Sequence, residues 1–68
     1  MIKITRLNGT ELYINCEHIE TIEATPDTVI TTIHGKIFVV KESISDIIDR
    51  TINYKNKIFN FESSYKKD

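Results

Sequence analysis

Cys16, Glu17 and His18 stand together in the sequence. A thiol two residues from an imidazole is the place where this chain would do nucleophilic or metal chemistry. On a strand, residues i and i+2 share a face, so Cys16 and His18 would reach one metal ion together. The pair lacks company: a closed zinc site takes four ligands, and the chain holds one Cys and two His, the second being His34. A small buried hydrophobe is the simpler reading of Cys16. Glu20 and Glu23 suggest paired carboxylates, but three residues apart on a regular strand they face opposite ways. Acid–base work on a glycoside also needs a deep cleft between the two. Gly9 and Gly35 are isolated turn glycines, so no glycine-rich loop cradles a phosphate. No Ser/His/Asp set follows from spacing. The chain is read as non-enzymatic, without a catalytic residue, cofactor, metal site or small-molecule substrate.

Charge narrows the partners. Lys3, Arg6, Lys36 and Lys41 form a basic patch if their strands are neighbours, and Tyr13 and Phe38 would let such a patch stack bases as single-strand binders do. A formal net charge of −1 argues against it, since nucleic-acid modules carry a basic excess to neutralise phosphates. Surface lysines and core aromatics are the plainer reading, and nucleic acid is not the expected partner. No apolar run approaches the ~20 residues of a membrane span, so no membrane insertion is expected. The N-terminal MIKITRLNG has no signal-peptide core. A lone cysteine without an export signal predicts the cytoplasm, where thiols stay reduced.

The elements that position these residues follow from periodicity. Ile2 and Ile4 alternate with Lys3 and Thr5, which reads as a half-buried strand over Met1 to Leu7. Asn8-Gly9 predicts a two-residue type I′ turn, and Leu12 and Ile14 share a face of the returning strand. Asn15 to His18 is a short connection. Ile19 to Thr25 is a third strand whose apolar residues, Ile19, Ile22 and Ala24, alternate imperfectly, as a bulge would cause. Thr25-Pro26-Asp27-Thr28 is a turn. Val29 to Ile33 is a fourth strand and His34-Gly35 a second two-residue turn. Ile37-Phe38-Val39-Val40 is a fifth strand, apolar on both faces and so expected to be covered on both. Ser43 is a good N-cap, with Asp46 completing a capping box. Ile44, Ile47, Ile48, Thr51, Ile52, Lys55 and Ile58-Phe59 then trace one stripe at helical spacing, apolar but for Lys55.

The expected fold is therefore α+β and mainly β: a five-stranded antiparallel meander, curled or barrel-like, followed by one C-terminal helix over about 43–59. One domain occupies residues 1–60, with a flexible polar tail at 61–68. A chain of 68 residues buries only about 60% of its unfolded surface, so its thin core favours self-association. A helix of about sixteen residues is ~24 Å long, against strands of ~17–20 Å. Tyr54, Ile58 and Phe59 at its far end are thus expected to project as an apolar contact.

Several phrases of the sequence resemble one family. Thr5-Arg6-Leu7-Asn8-Gly9, Ile19-Glu20-Thr21-Ile22-Glu23, Thr25-Pro26-Asp27-Thr28, Gly35-Lys36 and Val39-Val40-Lys41-Glu42-Ser43 are similar to the FlbD family of small flagellar proteins, over residues 1–59. The resemblance implies a cytoplasmic, non-enzymatic flagellar motility protein, associated with swarming and motor power at the inner face of the motor. It also implies a motor component such as the stator units as partner. It supplies no catalytic residues. Its charged members, Arg6, Glu20, Glu23, Asp27 and Lys41, are the candidate contacts, beside their plainer role of fixing turns and pairing across strands. The middle of the chain is also similar to part of the LytTR DNA-binding domain. That gives the alternative of a small nucleic-acid-binding regulator of flagellar genes.

Overall fold

The alternation at the N-terminus produces strand β1 (Ile2–Thr5), with Ile2 and Ile4 buried and Lys3 exposed between them. Strand β2 (Glu11–Ile14) returns antiparallel, with Ile2 opposite Ile14 and Ile4 opposite Leu12. This computed structural model describes the backbone of residues 1–66 and the side chains of residues 1–58.

Three residues, not two, make the turn between β1 and β2. The Arg6 N–H donates to the Thr10 carbonyl at 2.8 Å and the Gly9 N–H to the Arg6 carbonyl at 2.9 Å. Only Gly9 has a positive φ, of 93°, so Asn8 does not adopt the left-handed conformation that a type I′ turn requires. Its side chain instead accepts a hydrogen bond from the Thr10 N–H at 2.9 Å. The later hairpin repeats the design. The Thr32 N–H donates to the Lys36 carbonyl at 2.8 Å, the Gly35 N–H donates to the Thr32 carbonyl at 3.0 Å, and Gly35 takes φ 81°. His34 therefore needs no unusual backbone, and glycine supplies the left-handed residue in both turns.

Strands β3 (Ile19–Ala24), β4 (Thr28–Thr32) and β5 (Ile37–Val40) form a second antiparallel sheet in the order β3-β4-β5. Its register slips between Ile19 and Thr21, which puts the expected bulge at Glu20 and explains the broken alternation of β3. The Thr25–Pro26 peptide bond is cis.

The single five-stranded meander is corrected: the strands divide into two small sheets. Between β2 and β3 the chain winds through a 3₁₀ turn over Cys16–His18, whose start is capped by Asn15 Oδ1 accepting from the Glu17 N–H at 3.0 Å. That turn redirects the chain, so β3 pairs forward with β4 rather than back with β2. The sheets meet instead through an isolated antiparallel bridge, Arg6 to Val40, and a 2.8 Å hydrogen bond from the Lys41 N–H to the Thr5 carbonyl.

Helix α1 (Ile44–Lys66) extends past the end expected near residue 59. Its start is as the sequence predicts. The Asp46 N–H donates to Ser43 Oγ at 3.1 Å, and the Ser43 N–H donates to Asp46 Oδ2 at 3.2 Å, a reciprocal capping box. The helix packs on β1 and β3. Ile47 is wholly buried among Ile2, Ile4, Ile14, Cys16, Ile30 and Val40. Burial of each such aliphatic side chain contributes about 1.5–3 kcal/mol, and this short set is the buried core among the described residues.

The described residues cover one face of β5 and leave the other open. Val40 is buried and Phe38 packs against the core, but Ile37 is 65% exposed and Val39 also faces outward. Among the described residues the second cover expected for this strand is not found, since α1 packs against β1 and β3. Ile37 and Val39 stand beside Thr31 and Val29 of β4 and form an open apolar outer face.

Candidate functional site

Cys16 and His18 do not share a strand face. The 3₁₀ turn buries Cys16 and leaves His18 exposed. His18 meets His34 edge to face, with ring centroids 5.1 Å apart and an interplanar angle of 88°. No cluster of three or more His, Cys, Asp or Glu able to hold a metal ion occurs among the described residues.

The two histidines belong to an open groove lined from both sheets, with Arg6, Tyr13, Lys36 and Phe38 on its walls. Arg6 directly follows β1, and the bridge to Val40 fixes its backbone. The Arg6 guanidinium sits over the Phe38 ring at 5.6 Å from the centroid, a cation–π contact that holds a cation on an aromatic surface. The tight turn after Thr32 presents His34, and Lys36 closes it just before β5. The basic patch considered from sequence is thus brought together in part. Arg6 and Lys36 share this groove, whereas Lys3 pairs with Glu11 at 3.5 Å and Lys41 lines a different depression with Asp27, beside the start of α1. His18 and His34 were not part of that patch, and only the path of the 3₁₀ turn reveals their proximity.

A second polar feature escaped sequence reasoning altogether. Glu42 is 7% exposed. Its carboxylate accepts hydrogen bonds from the Thr5 N–H at 2.9 Å, from Thr5 Oγ1 at 2.8 Å and from Arg50 Nη1 at 2.9 Å. Arg50 also donates to the Lys3 carbonyl at 2.7 Å. Burial raises the Glu42 pKa, but the Thr5 backbone and side-chain hydrogen bonds, a backbone hydrogen bond within Glu42 and the Arg50 hydrogen bond outweigh it and lower the value from 4.5 to about 2. The network ties β1 to the β5–α1 junction and is structural: every partner is internal. An exposed pair, Lys55 Nζ to Glu17 Oε1 at 3.0 Å, ties α1 to the 3₁₀ turn, and the Glu17 hydrogen bond and charge raise the Lys55 pKa.

The eight contact candidates do not converge. Arg6 lies in the two-sheet groove; Asp27 and Lys41 line the depression near Ser43. Glu20 sits at the bulge and Glu23 opposite Val29, both exposed on β3. Tyr54 is half-buried and packs against the core rather than projecting, Ile58 is exposed, and the Phe59 side chain lies outside the described residues. Other apolar side chains are exposed elsewhere, among them Ile37 and Val39 of β5 and Ile48 and Ile52 of α1. The α1 pair flanks an apolar groove shared with Ile19 and Ile22 of β3. No described helix is long and apolar enough to cross a membrane.

Residues 1–59 match the family model FlbD, described as flagellar and swarming motility proteins. No curated protein and no solved structure matches the chain.

Proposed function

The chain belongs to the FlbD family of flagellar and swarming motility proteins, and on that premise we propose that it is a non-enzymatic interaction module acting on the cytoplasmic side of the flagellar motor. Its role in this reading is to support motor power through contact with the stator units or another motor component. The observation that carries the proposal is the uncovered outer face of β5, where Ile37 and Val39 are exposed side by side with Val29 and Thr31. Ile37 and Val39 lie on one face of the same strand, and neighbouring exposed apolar side chains in one patch mark a contact surface. The apolar flank of α1 at Ile48 and Ile52 suits self-association, which light scattering over a concentration series tests; a strict monomer throughout would remove that part.

The motor contact is tested by a photo-crosslinking amino acid placed at Ile37 in motile cells. An adduct with a stator or rotor protein is the expected result. Adducts from buried control positions alone, with none from position 37, would contradict the proposal.

The alternative, a nucleic-acid-binding regulator of flagellar genes, draws support from one observation, the groove that joins Arg6 and Lys36 to Tyr13 and Phe38. The same groove offers only two permanent cations, and the chain as a whole is slightly acidic, which favours the protein-contact reading.

A further inference from the structure

We infer that the groove between the two sheets is a docking site for an acidic segment of a partner protein, held by Arg6 and Lys36 with His18, His34, Tyr13 and Phe38 as its walls. The groove draws on both sheets and on the turns between their strands: Arg6 from just after β1, Tyr13 from β2, His18 from the 3₁₀ turn, His34 and Lys36 from the second hairpin turn, and Phe38 from β5. The two turns that deliver Arg6 and Lys36 share one construction, each locked by a glycine in the left-handed region. Their cations are therefore carried on rigid backbone, which lowers the entropy lost on binding.

Charge complementarity identifies the occupant. Lys3, Arg50 and Lys55 each have a carboxylate partner. Among the described residues Arg6 and Lys36 form no ion pair, and no acidic side chain lines the groove. Arg6 is instead held over Phe38, an arrangement that keeps the guanidinium edge available for a bidentate carboxylate contact. The imidazoles of His18 and His34 add hydrogen-bond donors beside it. The remaining walls are apolar and aromatic, so they cover the aliphatic stem of a Glu while its carboxylate meets a cation. With only two permanent cations, the groove is matched to a few carboxylates of a peptide rather than to a run of phosphates, whose binding rises with every phosphate neutralised.

This inference names the chemistry of a partner for the interaction module proposed above and rests on that reading, but its test is separate. Hexaglutamate is titrated into isotope-labelled protein at low salt and followed by nuclear magnetic resonance, with an oligothymidylate of equal charge in parallel. The expected result is saturable shifts at Arg6, His18, His34 and Lys36 with hexaglutamate and weakening as salt rises. The exposed R6E/K36E variant is expected to keep the wild-type thermal midpoint within a few degrees and to bind about tenfold more weakly or worse. Shifts scattered over the surface, binding undiminished in R6E/K36E, or tighter binding of the oligothymidylate would each overturn it. None of these outcomes depends on motility, so a failed groove is distinguishable from a failed motor role.

Discussion

The Glu42 carboxylate ties Thr5 at the end of β1 to Arg50 of α1. It stands next to the helix cap at Ser43, where a glutamate is ordinarily a solvated charge, yet it is buried against Thr5 and Arg50. Nothing local announces this, because its partners are 37 residues before it and 8 after. Its pKa falls from 4.5 to about 2 on folding, so the folded chain binds fewer protons than the unfolded chain between those values. The stabilisation is complete above pH 4.5 and is lost as the pH falls through about 2. The shift corresponds to about 3 kcal/mol. Glu42→Gln is accordingly expected to destabilise by about 2–3 kcal/mol in urea unfolding at pH 7, with the difference from wild type shrinking steadily below pH 4.5. A penalty that stays constant down to pH 2 would show that the charge is not what Glu42 contributes. The Cys16–His18 pair was legible as residue types but not as geometry: two residues apart means one face on a strand, and the chain there is a 3₁₀ turn.

Elements were far more readable than their pairing. Period-2 alternation places β1 and β2, β-branched runs place β4 and β5, and the Ser43–Asp46 capping box marks the start of α1, because each signal lies within a few residues of its effect. The end of α1 was not readable from the sequence. The chain has no glycine or proline after Gly35, so no stop signal interrupts the helix, and polarity alone does not end one. The hairpin turns were located correctly and typed wrongly, since Asn8-Gly9 suits both a two-residue turn and a three-residue turn with glycine left-handed. Gly35→Ala tests the second form. A Cβ there meets nothing within 4 Å, so the whole cost is backbone strain at φ 81°, expected at about 1–2 kcal/mol by thermal or urea unfolding. No measurable loss would mean that this turn relaxes to another type. At the outer face of β5, the double change Ile37→Ser/Val39→Ser is expected to alter unfolding free energy by at most about 1 kcal/mol while reducing swarm expansion. Normal swarming by a stably expressed double variant would remove this face as the contact surface.

At the scale of the molecule, the sequence pointed to one curled sheet, and the structure is two sheets held by a bridge at Arg6 and Val40 and by the Glu42 network. That outcome depends on contacts between the two ends of the strand region, which periodicity cannot order. The division also separates the surfaces: a basic groove where the sheets meet, an open apolar face on β5, and an apolar flank on α1. The chain that carries them belongs to a flagellar and swarming motility family. The most direct measurement of this account is the torque of single flagellar motors, read from beads on flagellar stubs, in cells lacking the gene and in cells where it is restored. Reduced torque on assembled flagella, recovered by the wild-type gene and not by Ile37→Ser/Val39→Ser, is the predicted result; full torque without the protein would contradict it.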